Sequence, residues 1–222
     1  MMKRHMDRET EKLKRQILTL SALVEDRVRE AVQAVVTRDA ELAAQVIERD
    51  NEVDLMEVDI EEDCLKLLAL YQPVASDLRF VVAVLKINND LERVADEAVN
   101  IAERADFLAH HAPVDLPLDF EVMSEKSQAM LRKSLDALMT MNAGLAHQVG
   151  RDDDEVDDLN RQMYEKVQQA MCLQPERAEC LIHVLSISRH LERIADYATN
   201  IAEDIVYMIE GEIIRHRTET FR

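Results

Sequence analysis

Glycine, proline and aromatic residues are scarce in this sequence, and each scarcity excludes a kind of structure. The 222 residues include three glycines, four prolines, four phenylalanines, four tyrosines and no tryptophan. So few glycines exclude a phosphate-binding glycine-rich loop, and little is left for the tight turns of a strand-rich fold. The abundant residues are Ala, Leu, Val, Ile and Glu, which favour helices.

Cysteines and long apolar runs are also few. Cys64, Cys172 and Cys180 have no CxxC spacing and are odd in number, which indicates reduced, mostly buried thiols. The first residues are charged and lack the apolar core of a signal peptide, and no apolar run approaches the ~18 residues of a membrane span. We therefore expect a soluble, cytoplasmic protein.

Basic residues are outnumbered, 27 against 45 acidic ones, and the net charge is −18. A field of this sign repels nucleic-acid backbones and anionic lipid, so we expect neither as a partner. It attracts cations and basic protein surfaces.

The chain contains an internal duplication with an offset of one hundred positions. Leu-Glu-Arg-Val-Ala-Asp at 91–96 returns as Leu-Glu-Arg-Ile-Ala-Asp at 191–196, and the matches continue to positions 103 and 203. Such repetition indicates two copies of one structural unit. On a helix, one stripe of each copy is small and apolar, and another is acidic. The acidic stripes are Glu92, Asp96, Asn100 and Glu103, and Glu192, Asp196, Asn200 and Glu203.

Apolar residues recur at steps of three and four through the first half, which predicts three helices. They span about 7–37, 39–71 and 74–109. Asp39 is expected to cap the second helix, and Pro73 to open the third.

The second half repeats this plan after a Pro-containing linker at 110–118. Gly150 is expected to end the first helix, the acidic run 152–154 to cap the second, and Pro175 to open a third that reaches about Ile214. Long helices joined by short turns pack as bundles. The predicted fold class is all-α, with two tandem pseudo-symmetric three-helix bundles. The predicted units are residues 1–109, a linker 110–118, and residues 119–222.

Each half carries two acidic pairs spaced four residues apart. They are Asp50/Asp54 with Glu92/Asp96, and Asp153/Asp157 with Glu192/Asp196. Like charges at this spacing mildly destabilise a helix, so we expect compensation. One hypothesis is a metal ion held by oxygen ligands, with Asn100, Glu103, Asn200 and Glu203 as further candidates. The alternative is salt bridging from Arg93 and Arg193, three positions before Asp96 and Asp196.

Catalytic constellations are missing from the sequence. There is no nucleophile elbow and no Cys/His arrangement. We therefore predict that the chain is not an enzyme, and an enzymatic alternative survives only as metal-dependent phosphate-ester hydrolysis by the carboxylate clusters. His190, two residues before Glu192, is either a metal ligand or an ordinary surface residue.

The sequence resembles the PhoU family of phosphate-transport regulators. The resemblance rests on Gln-Pro-Val-Ala-Ser-Asp-Leu-Arg at 72–79, the two Leu-Glu-Arg-(Val/Ile)-Ala-Asp motifs, and Asn-Ile-Ala-Glu-Asp at 200–204. It covers essentially the whole chain and implies two similar three-helix bundles. The second half departs after Gln-Pro at 174–175, which is followed by Glu-Arg-Ala-Glu at 176–179 and not by the Val-Ala-Ser-Asp-Leu-Arg of 74–79. Asp77 and Arg79 therefore have no equivalent there.

The resemblance also implies a function and a site. It implies negative regulation of the phosphate-starvation response by contact with the ATPase subunit of the high-affinity phosphate importer and with a sensor histidine kinase, without enzymatic activity. It further implies a homodimer, and binding of iron, zinc, manganese or magnesium ions, with no organic cofactor, at the paired Asp/Glu motifs named above. Because the −18 chain repels free phosphate, we expect the protein to relay its partners' state instead of capturing phosphate directly.

Overall fold

The structure is a computed structural model that describes residues 2–114 and 120–211. Its first half contains four helices: α1 (Met2–Thr37), α2 (Ala40–Glu48), α3 (Asn51–Tyr71) and α4 (Ser76–Ala109). Its second half contains α5 (Phe120–Thr140), α6 (Ala143–Leu173), a 3₁₀ turn at Pro175–Arg177, and α7 (Ala178–Glu210). Within these described ranges there is no β-strand, and no helix is long and apolar enough to cross a membrane.

The predicted apolar stripes form the core. In α1, for example, Leu13, Ile17, Leu20 and Val24 are all buried. Steps of three and four place such residues on one side of a helix, and removing them from water is the main force that holds the helices together. Cys64 and Cys180 are buried in the same core, whereas Cys172 is exposed.

Asp39 caps the second helix as predicted, because its carboxylate accepts hydrogen bonds from the backbone N–H groups of Glu41 and Leu42, both at 3.0 Å. The helix does not run unbroken to Tyr71. A turn at residues 49–50 separates α2 from α3.

The predicted helix boundary at Gly150 is wrong. Gly150 lies inside α6, and the acidic run 152–154 is inside it too. The break comes earlier, where Met141 adopts a left-handed backbone (φ 51°) and the Asn142 side chain accepts a hydrogen bond from the N–H of Leu145. A capping side chain satisfies a free N–H at the start of a helix, whereas a single glycine inside a helix costs only about 1 kcal/mol and need not end it.

The fold class is confirmed: each half is a three-helix bundle. Helix α1, the α2–α3 segment and α4 pack together, as do α5, α6 and α7. The two bundles join side by side, because α4 packs along α7 and α1 packs along α5.

Helices α4 and α7 run antiparallel. Lys86 Nζ near the start of α4 lies 3.1 Å from Asp204 Oδ1 near the end of α7, and the ring of Phe107 near the end of α4 stacks on His183 near the start of α7. The small residues Ala95 and Ala195 are buried near the middle. At 100° per residue, Ala95 lies about 160° around α4 from Glu97, and Ala195 lies about 140° around α7 from His190. Glu97 and His190 join the two helices, so the alanines pack inside their own bundles.

The end of α7 is held by Arg79. Its Nε donates to the backbone oxygen of Met208 at 3.1 Å, and Gly211 then ends the helix in a left-handed conformation (φ 76°). This capping contact supplies a structural role for the arginine that the second half lacks. The prediction that the last helix reaches about Ile214 is wrong, because α7 ends at Glu210. Linker positions 115–118 fall outside the described residues.

Candidate functional site

The first carboxylate cluster lies where the start of α3 faces the middle of α4. Asp50 precedes α3, Asp54 lies in its first turn, and Glu92 and Asp96 are one turn apart on α4. Burial raises the pKa of Asp50, and the charges of Asp54 and Asp96 raise it further. Burial and Asp96 likewise raise the pKa of Glu92. The four residues therefore share one electrostatic environment.

Two members of this cluster were not singled out from the sequence. Glu57 helps to raise the pKa of Glu92. Arg27, buried on α1, forms ion pairs with Glu30 at 3.1 Å and Glu52 at 2.5 Å, and its charge lowers the pKa of Asp50. Glu57 follows Asp54 by three residues, so helical spacing was a signal that could have found it. Arg27 comes from another helix and gave no such signal.

The second cluster joins α6 to α7. Asp153 and Asp157 lie on α6, and Glu192 and Asp196 lie on α7. Burial, followed by the charges of Asp157 and Asp196, raises the pKa of Asp153 from its ordinary 3.8 to about 7. Burial also raises the pKa of Asp196, Glu192 and Asp157. Carboxylates that hold protons this tightly lack enough positive charge around them.

A groove of ≈ 450 Å³ opens beside Glu192 and Asp196. Two arginines and two neutral polar residues also line it: Arg189, Arg193, Asn160 and Tyr164. The corresponding first-half residues are Asn89, Arg93, Glu57 and Glu61. The second cluster is therefore the less acidic of the two.

The salt bridges expected between the motif arginines and aspartates do not form in the described part of the chain. Arg93 Nε donates to Asn89 Oδ1 at 3.1 Å. Arg193 Nη1 lies 2.8 Å from Glu97 Oε1. The positive charge of Arg193 still lowers the pKa of Asp196, but less than burial and Asp157 raise it.

The clusters contain the oxygen donors of a metal site, but their side chains are not arranged to coordinate a metal ion. Asp153 Oδ1 is buried and has no hydrogen-bond partner, and clustered carboxylate oxygens suit hard cations. Across the two described ranges, however, no three His, Cys, Asp or Glu side chains converge closely enough to hold a metal ion. Binding would therefore require rotation of these side chains, and it stays a prediction.

The further candidate ligands are dispersed. Glu103 Oε2 pairs with Arg104 Nη1 at 2.5 Å, and Asn100 is partly buried on α4. Asn200 and Glu203 line a separate groove with Lys86. None of these four residues is among the charges that perturb the clustered carboxylates.

His190 lies in the contact between the two bundles. Its Nδ1 is 2.6 Å from Glu97 Oε2 and its Nε2 is 3.1 Å from Ser186 Oγ. Glu97 is only 2% exposed and holds both His190 and Arg193. The repeat gave no hint of this group, because Tyr197 stands where a second copy of Glu97 would be.

The fold and the clusters together define a class: a duplicated all-α protein with an acidic cluster between the last two helices of each bundle. The model of the PhoU domain family matches residues 4–105 and 120–205 of this chain. The chain therefore belongs to the PhoU family, as the motifs predicted.

Named relatives match almost the full length. A phosphate-specific transport system accessory protein PhoU homolog from Aquifex aeolicus is 39% identical over 95% of both chains. The homolog from Pseudomonas aeruginosa is 34% identical over 94% of this chain and 86% of its own.

Solved structures agree. A crystal structure of PhoU from Pseudomonas aeruginosa superposes with a TM-score of 0.88 at 35% identity, covering 93% of this chain and 99% of its own. The phosphate transport system regulatory protein PhoU from Streptococcus pneumoniae gives a TM-score of 0.83 at 30% identity, covering 94% and 98%.

Proposed function

We propose that this chain is a regulatory accessory protein of phosphate import, which lowers high-affinity uptake and represses the phosphate-starvation response. The observation that carries the proposal is the match over 95% of the chain to a relative named as an accessory protein of phosphate-specific transport. The names of such relatives describe accessory and regulatory roles, which favours a non-enzymatic function.

The mechanism we propose is that of an adaptor at the cytoplasmic face of the membrane. As a homodimer, it would contact the ATPase subunit of the phosphate importer and a sensor histidine kinase. Long antiparallel helices offer extended faces for such contacts, and the net charge of −18 steers partners with basic surfaces toward them. The same charge repels free phosphate, so the protein relays the state of its partners.

Deletion of the gene and complementation test this proposal. In phosphate-rich medium, the deletion strain should take up phosphate faster and express starvation-induced phosphatase, and the wild-type gene should reverse both effects. Co-purification with the importer ATPase and with the kinase then tests the two contacts separately. Unchanged uptake and phosphatase expression in the deletion strain would refute the regulatory role.

A metal at the carboxylate clusters is the second part of the proposal. The ligands would be Asp50, Asp54, Glu92 and Asp96, and Asp153, Asp157, Glu192 and Asp196. A bound cation would neutralise carboxylates that now repel one another. The buried, unpartnered Asp153 Oδ1 supports this assignment.

Elemental analysis tests the metal. Protein purified without chelator should carry iron, zinc, manganese or magnesium, and the double variant Asp96→Asn/Asp196→Asn should lose the metal and unfold at a lower temperature. The exposed Asp59→Asn serves as a control. If the double variant is as stable as the wild type or more so, the clusters are ordinary acidic faces, because losing like charges relieves repulsion.

A metal-dependent phosphohydrolase is the second candidate, and one observation favours it. A carboxyl group with a pKa of about 7, as at Asp153, suits general acid–base catalysis. Turnover of p-nitrophenyl phosphate with manganese or zinc, abolished by Asp153→Asn, would support an enzyme. We expect no turnover above that of the metal in buffer.

A further inference from the structure

The outward side of α3 exposes large apolar side chains. Leu55 is 70% exposed, Val58 is 49% exposed and Leu65 is 52% exposed, and Ala69 beyond them is also exposed. At 100° per residue, these four positions fall within about 80° of one another around the helix. They lie along one side of the helix, with Glu62 between Val58 and Leu65. Single exposed apolar residues scattered over a surface need no explanation, but four on one side of a helix do.

The spacing along this line is that of one half of a coiled coil. Leu55, Val58, Glu62, Leu65 and Ala69 follow one another at steps of three, four, three and four, as alternating a and d positions do. We call these five residues the α3 seam. In a coiled coil such a seam packs against a second helix, and no described helix of this chain covers it, since its residues are exposed.

The second half of the chain shows that the fold does not require this seam. An offset of 103 aligns α3 with α6, because it superimposes buried residues of the two helices: Val53 on Val156 and Cys64 on Val167. Each helix therefore presents the same face to its own bundle.

At the seam the two helices differ. The residues of α6 that correspond to Leu55, Val58 and Leu65 are Asp158, Arg161 and Gln168. Asp158 and Arg161 pair with each other at 2.7 Å. Polar residues at these three positions are thus compatible with the bundle, and the apolar set in α3 indicates an interaction made by the first half alone.

Charge identifies the occupant. Helix α3 contains seven acidic residues and one basic residue, Lys66. The positions flanking the seam include Asp54, Asp59 and Glu61 as well as Lys66, which pairs at 2.9 Å with Glu62 at the centre of the seam. In a coiled coil, flanking charges choose the partner, so the complementary helix carries Lys or Arg beside its apolar residues. A second copy of α3 would face Glu62 with Glu62, and an anionic membrane would be repelled.

We propose that the α3 seam is a docking site for an amphipathic helix of a partner protein, with basic residues flanking the helix's apolar stripe. The inference stands apart from phosphate regulation, because it follows from the surface and does not depend on which partner supplies the helix.

A designed peptide tests the surface directly. It has about three heptads, with Leu facing the apolar seam positions and Lys at the flanking positions and opposite Glu62. A scrambled peptide keeps its composition and charge but spreads the leucines around the helix. Binding of each labelled peptide to the full chain is measured by fluorescence anisotropy at ~0.15 M salt, where non-specific attraction is largely screened.

The matched variant is Leu55→Asp/Val58→Arg/Leu65→Gln, which copies the residues of α6 and leaves the net charge at −18. Because the charge is unchanged, a loss of binding reports the apolar seam itself. Leu173→Gln, at an apolar residue 81% exposed outside the seam, is the control. Circular dichroism at rising temperature checks that each variant folds as the wild type does.

We expect the triple variant to bind the patterned peptide at least about tenfold more weakly than the wild type and the control. Equal binding by the triple variant, equal binding of the scrambled peptide, or no binding to the wild type would overturn the proposal. Light scattering tests whether a second copy of the chain occupies the seam. If the wild type is a dimer that the triple variant dissociates, the seam belongs to a second copy, and the proposal is wrong.

Discussion

Replacing Asp153 with Asn should stabilise the metal-free protein at alkaline pH. The carboxyl group has a pKa of about 7 in the folded chain, against an ordinary value of 3.8. The folded state thus holds this proton more tightly than the unfolded state does. The stabilisation of the folded state by protonated Asp153 is complete below pH ~4 and is lost as the pH rises to about 7. Above pH 7 the wild type carries an uncompensated charge that Asn lacks.

The size of the effect follows from the shift in pKa. At about 1.4 kcal/mol per pKa unit, the full shift corresponds to about 4 kcal/mol. Asp153 is only partly buried, and water screens part of the repulsion, so we expect about 1–2 kcal/mol. At pH 8 the free energy of unfolding of Asp153→Asn should exceed that of the wild type by this amount. Near pH 4 the two values should be equal.

Urea denaturation in the presence of EDTA, repeated between pH 4 and pH 8, measures this difference. Glu165→Gln, an exposed carboxylate on the same helix, is the control and should stay within about 0.5 kcal/mol of the wild type at every pH. An Asp153→Asn variant less stable than the wild type at pH 8, or a gap that does not change with pH, would refute the reasoning.

Added metal should reverse the order. An ion that binds only the folded wild type stabilises it by about 2.7 kcal/mol at one hundred times its Kd, and Asp153→Asn should gain less. If manganese and zinc leave both proteins unchanged, the carboxylate repulsion is real but no such metal relieves it.

Three further predictions concern stability and use the same urea assay at pH 7. Glu97→Ala removes a buried acid that pairs with Arg193, and should destabilise the fold by about 2 kcal/mol. Lys86→Met leaves the buried Asp204 without its lysine and should cost about 2–3 kcal/mol, part of which the double variant with Asp204→Asn should recover. Asn142→Ala removes the cap of α6 and should cost about 1 kcal/mol.

Each of these three predictions has a control or an outcome that would contradict it. Glu103→Gln breaks an exposed ion pair with Arg104 and should change stability by less than about 0.5 kcal/mol. A loss at Glu97 no larger than this would contradict its role between the bundles. Full additivity of the two changes at Lys86 and Asp204 would contradict their pairing. Asp39→Ala removes the corresponding cap in the first half and should lower stability by an amount similar to that for Asn142→Ala.

Most of the helical architecture could be predicted because periodicity reports burial directly. The error at Gly150 came from relying on a single residue type. The repeat itself held the better signal: Thr37-Arg38-Asp39 corresponds to Thr140-Met141-Asn142 at the same offset of 103 that aligns α3 with α6. Arg38 and Met141 both adopt left-handed backbones, with φ of 57° and 51°. Asp39 and Asn142 then cap the helices that follow.

The candidate site was predictable in part for the same reason. Asp96 and Asp196 repeat, and spacing places each beside a second acid on its own helix. The ion-pair partner of the neighbouring arginine could not be inferred. Arg193 is three residues from Asp196 along the helix, yet it pairs with Glu97 of the other bundle. Only the packing of α4 on α7 brings that stronger, buried acceptor within reach.

Positions that match between the halves and positions that differ have separate physical roles. Matched residues serve tasks that each bundle performs alone, such as the Ala95 and Ala195 packing surfaces and the carboxylate clusters. The charged contacts of α4 with α7 each use at least one unmatched residue. Glu97 and Lys86 correspond to Tyr197 and Ser186, so each charged contact is made once and not twice. The α3 seam is likewise confined to one half. A search for repeated residues therefore finds the clusters, and a search for differences at the same offsets finds the surfaces that set one bundle apart from the other.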